Sequence, residues 1–312
     1  MLQSEYKGED HMKIATTIGE MYSYSEKPAK AIEAYEGTGF KYLDYSFYNV
    51  VRTPNHPFMT DNWKEEIFEA KATAQRLGFS FVQAHAPDCD IRGEGAEKGI
   101  LATIRSIEAC GILGIKNMVI HSGFFQEIKY PDDKELYFKA NEPFFKALIP
   151  AMEKNGVNIL FENTTLKHCP EKCFFPITGK DLNDFVSYMN HPLFGAAWDV
   201  GHANMDETDH YAEIMEMGNN LKAIHVHDNN GMRDNHTAPF LGTADYDSLM
   251  RGLIESGFSG YFTLEADGFF EFNRGRENGS LSHISTELKR DALSLLYKIS
   301  KYILSSYNVY EE

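Results

Sequence analysis

The fifteen residues from Lys222 to His236 concentrate side chains that can do chemistry. Lys222-Ala223-Ile224-His225-Val226-His227 reads as a strand, because Ile224 and Val226 alternate with His225 and His227. It breaks at Asp228-Asn229-Asn230-Gly231, a turn composition, and Met232-Arg233-Asp234-Asn235-His236 follow. Three imidazoles and two carboxylates thus fall within twelve residues. Imidazole with carboxylate suits zinc, manganese or iron. A surface loop of hydrogen-bonded histidines would read the same way taken alone. What separates the two readings is that similar residues end other predicted strands.

Those strands recur along the chain. Lys13–Ile18, Phe40–Asp44, Phe79–His85, Asn117–His121, Asn158–Glu162, Phe194–Asp199, Leu221–His227 and Gly260–Glu265 carry short apolar or alternating runs. Helical patterns lie between them: Pro28 to Gly37, Trp63–Leu77, Ile100–Gly111, Asp133–Asn155, Asp181–Met189, Tyr211–Met217, Tyr246–Ser256 and Thr286–Tyr302. Eight strand–helix units predict a (β/α)8 TIM barrel over residues 12–312. A doubly wound open sheet is the alternative, weakened by the lack of Gly-x-Gly-x-x-Gly after the first strand. Residues 1–11 read as an N-terminal extension with no signal-peptide core.

In a barrel of this kind the strand ends converge on one face. His85, His121, Glu162, Asp199, His225 and Glu265 end strands, His202 follows Asp199 by three residues, and Asp234 and His236 follow strand seven. Two carboxylates about 5 Å apart at an effective dielectric near 20 repel by roughly 3 kcal/mol. Four converging carboxylates therefore need cations between them, and neutral imidazoles would ligate the same ions. His85, His121, Glu162, Asp199, His202, His225, Asp234, His236 and Glu265 are the candidate metal ligands, for one to three divalent ions, zinc or manganese. Cys169 and Cys173 beside His168 fit no zinc spacing well, and all four cysteines read as free thiols in a reducing cytoplasm.

The motifs His85-Ala86-Pro87, His121-Ser122-Gly123, Phe161-Glu162-Asn163-Thr164, Asp199-Val200-Gly201-His202, His225-Val226-His227-Asp228, Asp234-Asn235-His236 and Leu264-Glu265 resemble those of the xylose-isomerase-like TIM barrels. That superfamily holds sugar phosphate isomerases and epimerases and the endonuclease IV type of abasic-site nuclease. The resemblance implies one divalent ion on Glu162, Asp199, His225 and Glu265, with His202 facing the substrate. It also implies Glu162 and Glu265 as the catalytic acid and base. His85, His121, His202, Asp234 and His236 match the larger set by which the nuclease branch holds three zinc ions. His225 fits the ligand position better than His227, which is expected outside the ligand set.

The expected reaction is isomerisation or epimerisation of a sugar or sugar phosphate, by proton transfer through a metal-stabilised enediolate. Trp198 and Arg233 join His202 as candidate substrate contacts, and Phe47, Tyr48, Phe124 and Phe125 are candidates for an apolar wall. Arg52 and Lys167, like Arg233, could receive a phosphate. The rivals are an endonuclease IV-like hydrolase at abasic DNA sites, a sugar dehydratase or lyase, and a non-catalytic sugar-binding barrel. A formal charge of −16 argues against following a DNA backbone, so no nucleic-acid partner is expected. Hydrophobic content of 43% with 24% charged residues fits a soluble protein, no run is long enough for a membrane span, and a cytoplasmic enzyme, open to homo-oligomerisation, is expected.

Overall fold

Strand parity decides which side chains face a barrel axis, since successive side chains point to opposite faces. The computed structural model describes residues 11–22, 24–25, 27–125, 127–167, 175–269 and 284–312. Its strands are β1 (Lys13–Thr17), β2 (Tyr42–Ser46), β3 (Ser80–His85), β4 (Asn117–Ile120), β5 (Asn158–Glu162), β6 (Phe194–Asp199), β7 (Leu221–Val226) and β8 (Tyr261–Leu264). They pair in parallel in chain order, and β8 closes on β1 through Ile14 against Phe262 and Thr16 against Leu264. This is the (β/α)8 TIM barrel read from the sequence.

The helices are α1 (Pro28–Glu33), α2 (Trp63–Leu77), α3 (Ala96–Leu113), α4 (Lys134–Asn155), α5 (Gly179–Met189), α6 (Val200–Met205), α7 (His210–Met217), α8 (Tyr246–Glu255) and α9 (Thr286–Ser306). Capping fixes their ends. The Thr178 side chain and Asp181 form a reciprocal capping box on α5, and Gly78 stops α2 at φ 77°, a left-handed conformation that favours glycine. Inside the barrel, Val119, Leu160, Ala197 and Ala223 form a small apolar cluster of their own. Two residues further along these four strands stand His121, Glu162, Asp199 and His225. The alternate residues Ile120, Phe161, Trp198 and Ile224 belong to the large core between barrel and helices. There the Phe161 ring stacks on Phe185 of α5 at 4.2 Å. An apolar cluster under the rim and an apolar jacket around it therefore hold the polar layer in place.

Element boundaries differ slightly from the sequence reading. β4, β7 and β8 stop one residue before His121, His227 and Glu265, so these three stand at the barrel mouth. The backbone still follows its neighbour there, since Glu265 N donates to Val226 O at 3.0 Å. α3 begins at Ala96 rather than Ile100, and α1 is a single short helix of six residues. Residues 1–10 of the 1–11 N-terminal extension and the His168, Cys169 and Cys173 cluster lie outside the described residues; among the described residues Cys89 and Cys110 are free. Among the described residues no helix is long and apolar enough to cross a membrane.

Candidate metal centre

The deepest group at the mouth comes from β5, β6, β7 and the residue after β8. One donor atom each of Glu162, Asp199, His225 and Glu265 lies within 4.8 Å of the others. His225 Nδ1 is the hub, 2.5 Å from Glu162 Oε1 and 3.2 Å from Glu265 Oε2. Its other nitrogen points down the barrel, 3.8 Å from Asp44 on β2. Glu162 also serves a second group with His85 and His121, through Oε2 at 3.6 and 2.8 Å from their Nε2 atoms. Asp199 caps α6 by accepting from the His202 backbone N–H at 2.6 Å, so one residue both joins the centre and aims that helix. Asn163 ties β5 to β6 by accepting from Asp199 N at 2.6 Å and donating to Asp199 O at 2.9 Å.

A further group is His202, His227, Asp234 and His236. Asp234 and His236 sit on the loop between β7 and α8, which Asp228 organises. Its carboxylate accepts backbone N–H groups of Asn229 (2.8 Å), Gly242 (3.1 Å) and Ala244 (3.1 Å), while its backbone exchanges two bonds with Thr237. The loop thus behaves as a braced arm, holding Asp234 Oδ2 3.4 Å from His202 Nε2 and 3.1 Å from His236 Nε2.

All nine candidate ligands read from the sequence therefore gather at one mouth. His227, expected outside the ligand set, is fully buried, stands in the group with His202, Asp234 and His236, and also reaches Asp199 Oδ2 at 3.1 Å. It stands two positions after His225, so both rings face inward. Trp198 is a correction. Its neighbour Asp199 faces the axis, so the indole faces outward, fully buried, and donates to His210 Nδ1 at 3.1 Å. It packs barrel to helices and does not reach the mouth. Arg233 is exposed on the loop. Arg52 pairs with Asp88, and Lys167 with Glu207 and the Gly231 carbonyl. Tyr48 borders the mouth, edge-on to His85 and His121. Phe47 and Phe125 are buried in the jacket and Phe124 is 40% exposed. Asp44, Asn163 and Asp267 were not singled out as site residues. Asp44 ends a predicted strand and Asp267 follows Glu265 by two, so strand parity was the available signal.

Hydrogen bonds fix three tautomers. His85, His202 and His236 place Nδ1 against the carbonyl oxygens of Ala86 (2.8 Å), Asn163 (2.9 Å) and Glu265 (3.0 Å). A carbonyl only accepts, so each Nδ1 carries the proton, and the neutral ring turns a bare Nε2 toward the carboxylates. Bare nitrogen facing carboxylate oxygen requires a cation, either a proton or a metal ion. With protons, burial opposes the charge, but Glu162 and Glu265 raise His85 to about 9, and Asp199 and Asp234 raise His202 to about 10. Burial would raise Glu162, yet the cationic His225 and its other imidazole partners hold it well below the usual carboxylate range. Buried Glu162 Oε2 and Asp234 Oδ1 accept no aligned hydrogen bond. Orphaned carboxylate oxygens, bare nitrogens and a nitrogen–oxygen donor set together fit divalent zinc or manganese.

The family described as xylose isomerase-like TIM barrel matches residues 32–279. An uncharacterized protein of Methanocaldococcus jannaschii is 25% identical over 192 residues, 59% of this chain and 64% of that protein. One of Sinorhizobium fredii is 24% identical over 169 residues, 52% of this chain and 50% of its own length. The matches thus span less than two thirds of either relative. Among solved structures, the D-allulose 3-epimerase from Methylomonas sp. in complex with D-allulose gives a TM-score of 0.69 at 16% identity, covering 94% of this chain and 97% of that one. The 3-keto-D-glucoside 4-epimerase from E. coli gives 0.66 at 18% identity, covering 92% and 99%. At these identities the likeness is one of fold.

Proposed function

Because the chain belongs to the xylose isomerase-like TIM barrel family, we propose that it is a divalent-metal-dependent sugar isomerase or epimerase. One observation carries the reading: Glu162 and Glu265 reach the same nitrogen of His225 from β5 and from the end of β8. These strands stand on different sides of a closed eight-strand barrel, so a sugar seated between them meets a carboxylate on each face. Structural neighbours bearing the names of sugar epimerases, one of them holding D-allulose, support a carbohydrate substrate.

In this proposal Glu162, Asp199, His225 and Glu265 hold one ion, and the two histidine-rich groups provide for up to two more. When bound, the ion supplies a Lewis acid to the carbonyl and the neighbouring hydroxyl oxygen. One glutamate takes the proton from the carbon beside the carbonyl, leaving an enediolate. The other glutamate delivers a proton to the opposite face of that carbon, inverting it, or to the adjacent carbon, moving the carbonyl. Positioned proton transfer of this kind contributes about 10² to 10⁴ in rate. Free sugars and sugar phosphates are both admitted, in a cytoplasmic setting. The overlapping donor groups would also suit hydrolysis at an abasic DNA site, but the charge of −16 sets that reading second.

Incubation of manganese-loaded protein with keto-sugars such as D-allulose and D-tagatose in heavy water tests the proposal. Deuterium should appear on the carbon next to the carbonyl, and Glu162→Gln or Glu265→Gln should lower exchange by about 10² to 10⁴. Bound metal is measured in each variant, so that loss of the ion is not mistaken for loss of the base. Normal exchange in both metal-loaded variants, or cleavage of an abasic duplex with no action on sugars, would sink the reading.

A further inference from the structure

His227 turns one of the four donor groups into a different kind of site. We propose that His202, His227, Asp234 and His236 form a closed His3Asp site, in which a zinc-like ion takes all four ligands from the protein and none from the substrate. The inference rests on reading His202, Asp234 and His236 as ligands, and adds the fourth donor and its consequence.

The distances from Asp234 lie near the edge length of a tetrahedral site. Zinc bonds of about 2.0–2.1 Å imply ligand atoms about 3.3–3.4 Å apart in tetrahedral coordination. The Asp234 oxygens lie 3.1 Å from His236 Nε2, 3.4 Å from His202 Nε2 and 3.8 Å from His227 Nε2. His227 and His236 stack face to face, centroids 3.9 Å apart and planes 8° apart, and both Nε2 atoms reach the same carboxylate. Asp234 Oδ1, the oxygen that faces His227, is buried and accepts no hydrogen bond. The fold also makes room for this ring. A Cβ on Gly201 would lie 1.9 Å from His227 Cε1.

The competing role for His227 is to donate Nε2–H to Asp199 Oδ2 at 3.1 Å. Hydrogen bonding does not decide between the two, because the buried Nδ1 lacks a partner in either tautomer. The shared carboxylate favours ligation. Four protein ligands mark structural zinc sites, whereas catalytic ones keep a position open. An ion here would pin the Asp228-braced loop to α6 and to the end of β7 without meeting a phosphate or sugar oxygen. The sugar chemistry would then belong to the Glu162 side alone.

Cobalt substitution tests this in the Glu162→Gln/Glu265→Gln protein, where each of the other three groups loses at least one carboxylate ligand. Elemental analysis should find one retained ion, with the strong visible bands of four-coordinate cobalt, unchanged by azide. Adding His227→Asn should weaken zinc binding at least about tenfold and let azide shift the bands. Azide-sensitive bands before that second change would overturn the closed site without any variant at His227. Equal zinc affinity with and without His227→Asn would assign His227 to Asp199 instead. An ion retained equally after Asp234→Asn would overturn the site altogether. Each readout is independent of sugar turnover, so the sugar proposal and this one can fail separately.

Discussion

Gly201→Ala is the smallest change that should disturb the mouth from behind. The added methyl carbon would sit 1.9 Å from His227 Cε1, 2.3 Å from Nδ1 and 2.6 Å from Nε2. Ordinary contact is about 3.5–4.0 Å, so the ring must retreat by about 1.6 Å or more. It has no room to do so, because it is fully buried and stacked at 3.9 Å on His236. Moving it stretches the 3.1 Å approach to Asp199 beyond hydrogen-bond length and pushes His236 from its 3.1 Å contact with Asp234. Overpacking of this kind costs about 1–3 kcal/mol. Gly201 lies in α6, where alanine gains up to about 1 kcal/mol of helix propensity, so a net loss must come from the ring. Urea unfolding in chelator and again in zinc measures both parts. Wild type should gain about 2.7 kcal/mol at a zinc concentration 100 times Kd, whereas the variant should gain clearly less. An unchanged midpoint together with an undiminished zinc effect would refute the reasoning.

Asp44→Asn should weaken metal binding at the Glu162–Asp199–His225–Glu265 group about 10- to 100-fold, read by titration with manganese, because Asp44 stands behind His225 Nε2 at 3.8 Å. In metal-free protein, His85 at about 9 and His202 at about 10 lie above the ordinary 6.5, so their stabilisation is complete below pH 6.5 and is lost as pH rises toward 10. Thermal unfolding in chelator should show that decline, while zinc affinity climbs over the same window by up to about tenfold per pH unit for each proton displaced. Trp198→Phe should cost about 1–3 kcal/mol in urea unfolding and leave the sugar KM unchanged, since the buried indole donates to His210 behind the barrel.

The barrel was legible because each strand is a short apolar run and each helix carries its own stop signal, such as Gly78 after α2. Ligands at strand ends were legible for the same reason: once Glu162 ends β5 and Asp199 ends β6, the fold brings them together. Trp198 shows what a list of strand-end residues omits. Its parity with Asp199 already turned it outward, yet proximity in sequence made it look like a substrate wall. The same two-residue period sets His227 beside His225 at the mouth. Asp234 and His236 follow no period, because a loop's path depends on bonds such as those Asp228 makes to Gly242 and Ala244. Nor could the sequence show that Arg52 and Lys167 face carboxylates on other loops.

Closure of β8 onto β1 sets the order in which the centre can be assembled. Thr16 pairs with Leu264 and Glu265 N donates to Val226 O, so Glu265 takes its place when β8 docks between β7 and β1. On a ribosome adding about 5–20 residues per second, Glu265 emerges roughly 3–13 s after Asp199. Throughout that interval Glu162, Asp199 and the early histidines exist without the backbone register that gathers them. A chain with such distant pairings folds late and cooperatively. Unlike a zinc finger, which a metal ion can nucleate, this protein should acquire its ions after folding, and chelator present only during synthesis should leave no lasting defect once metal is restored.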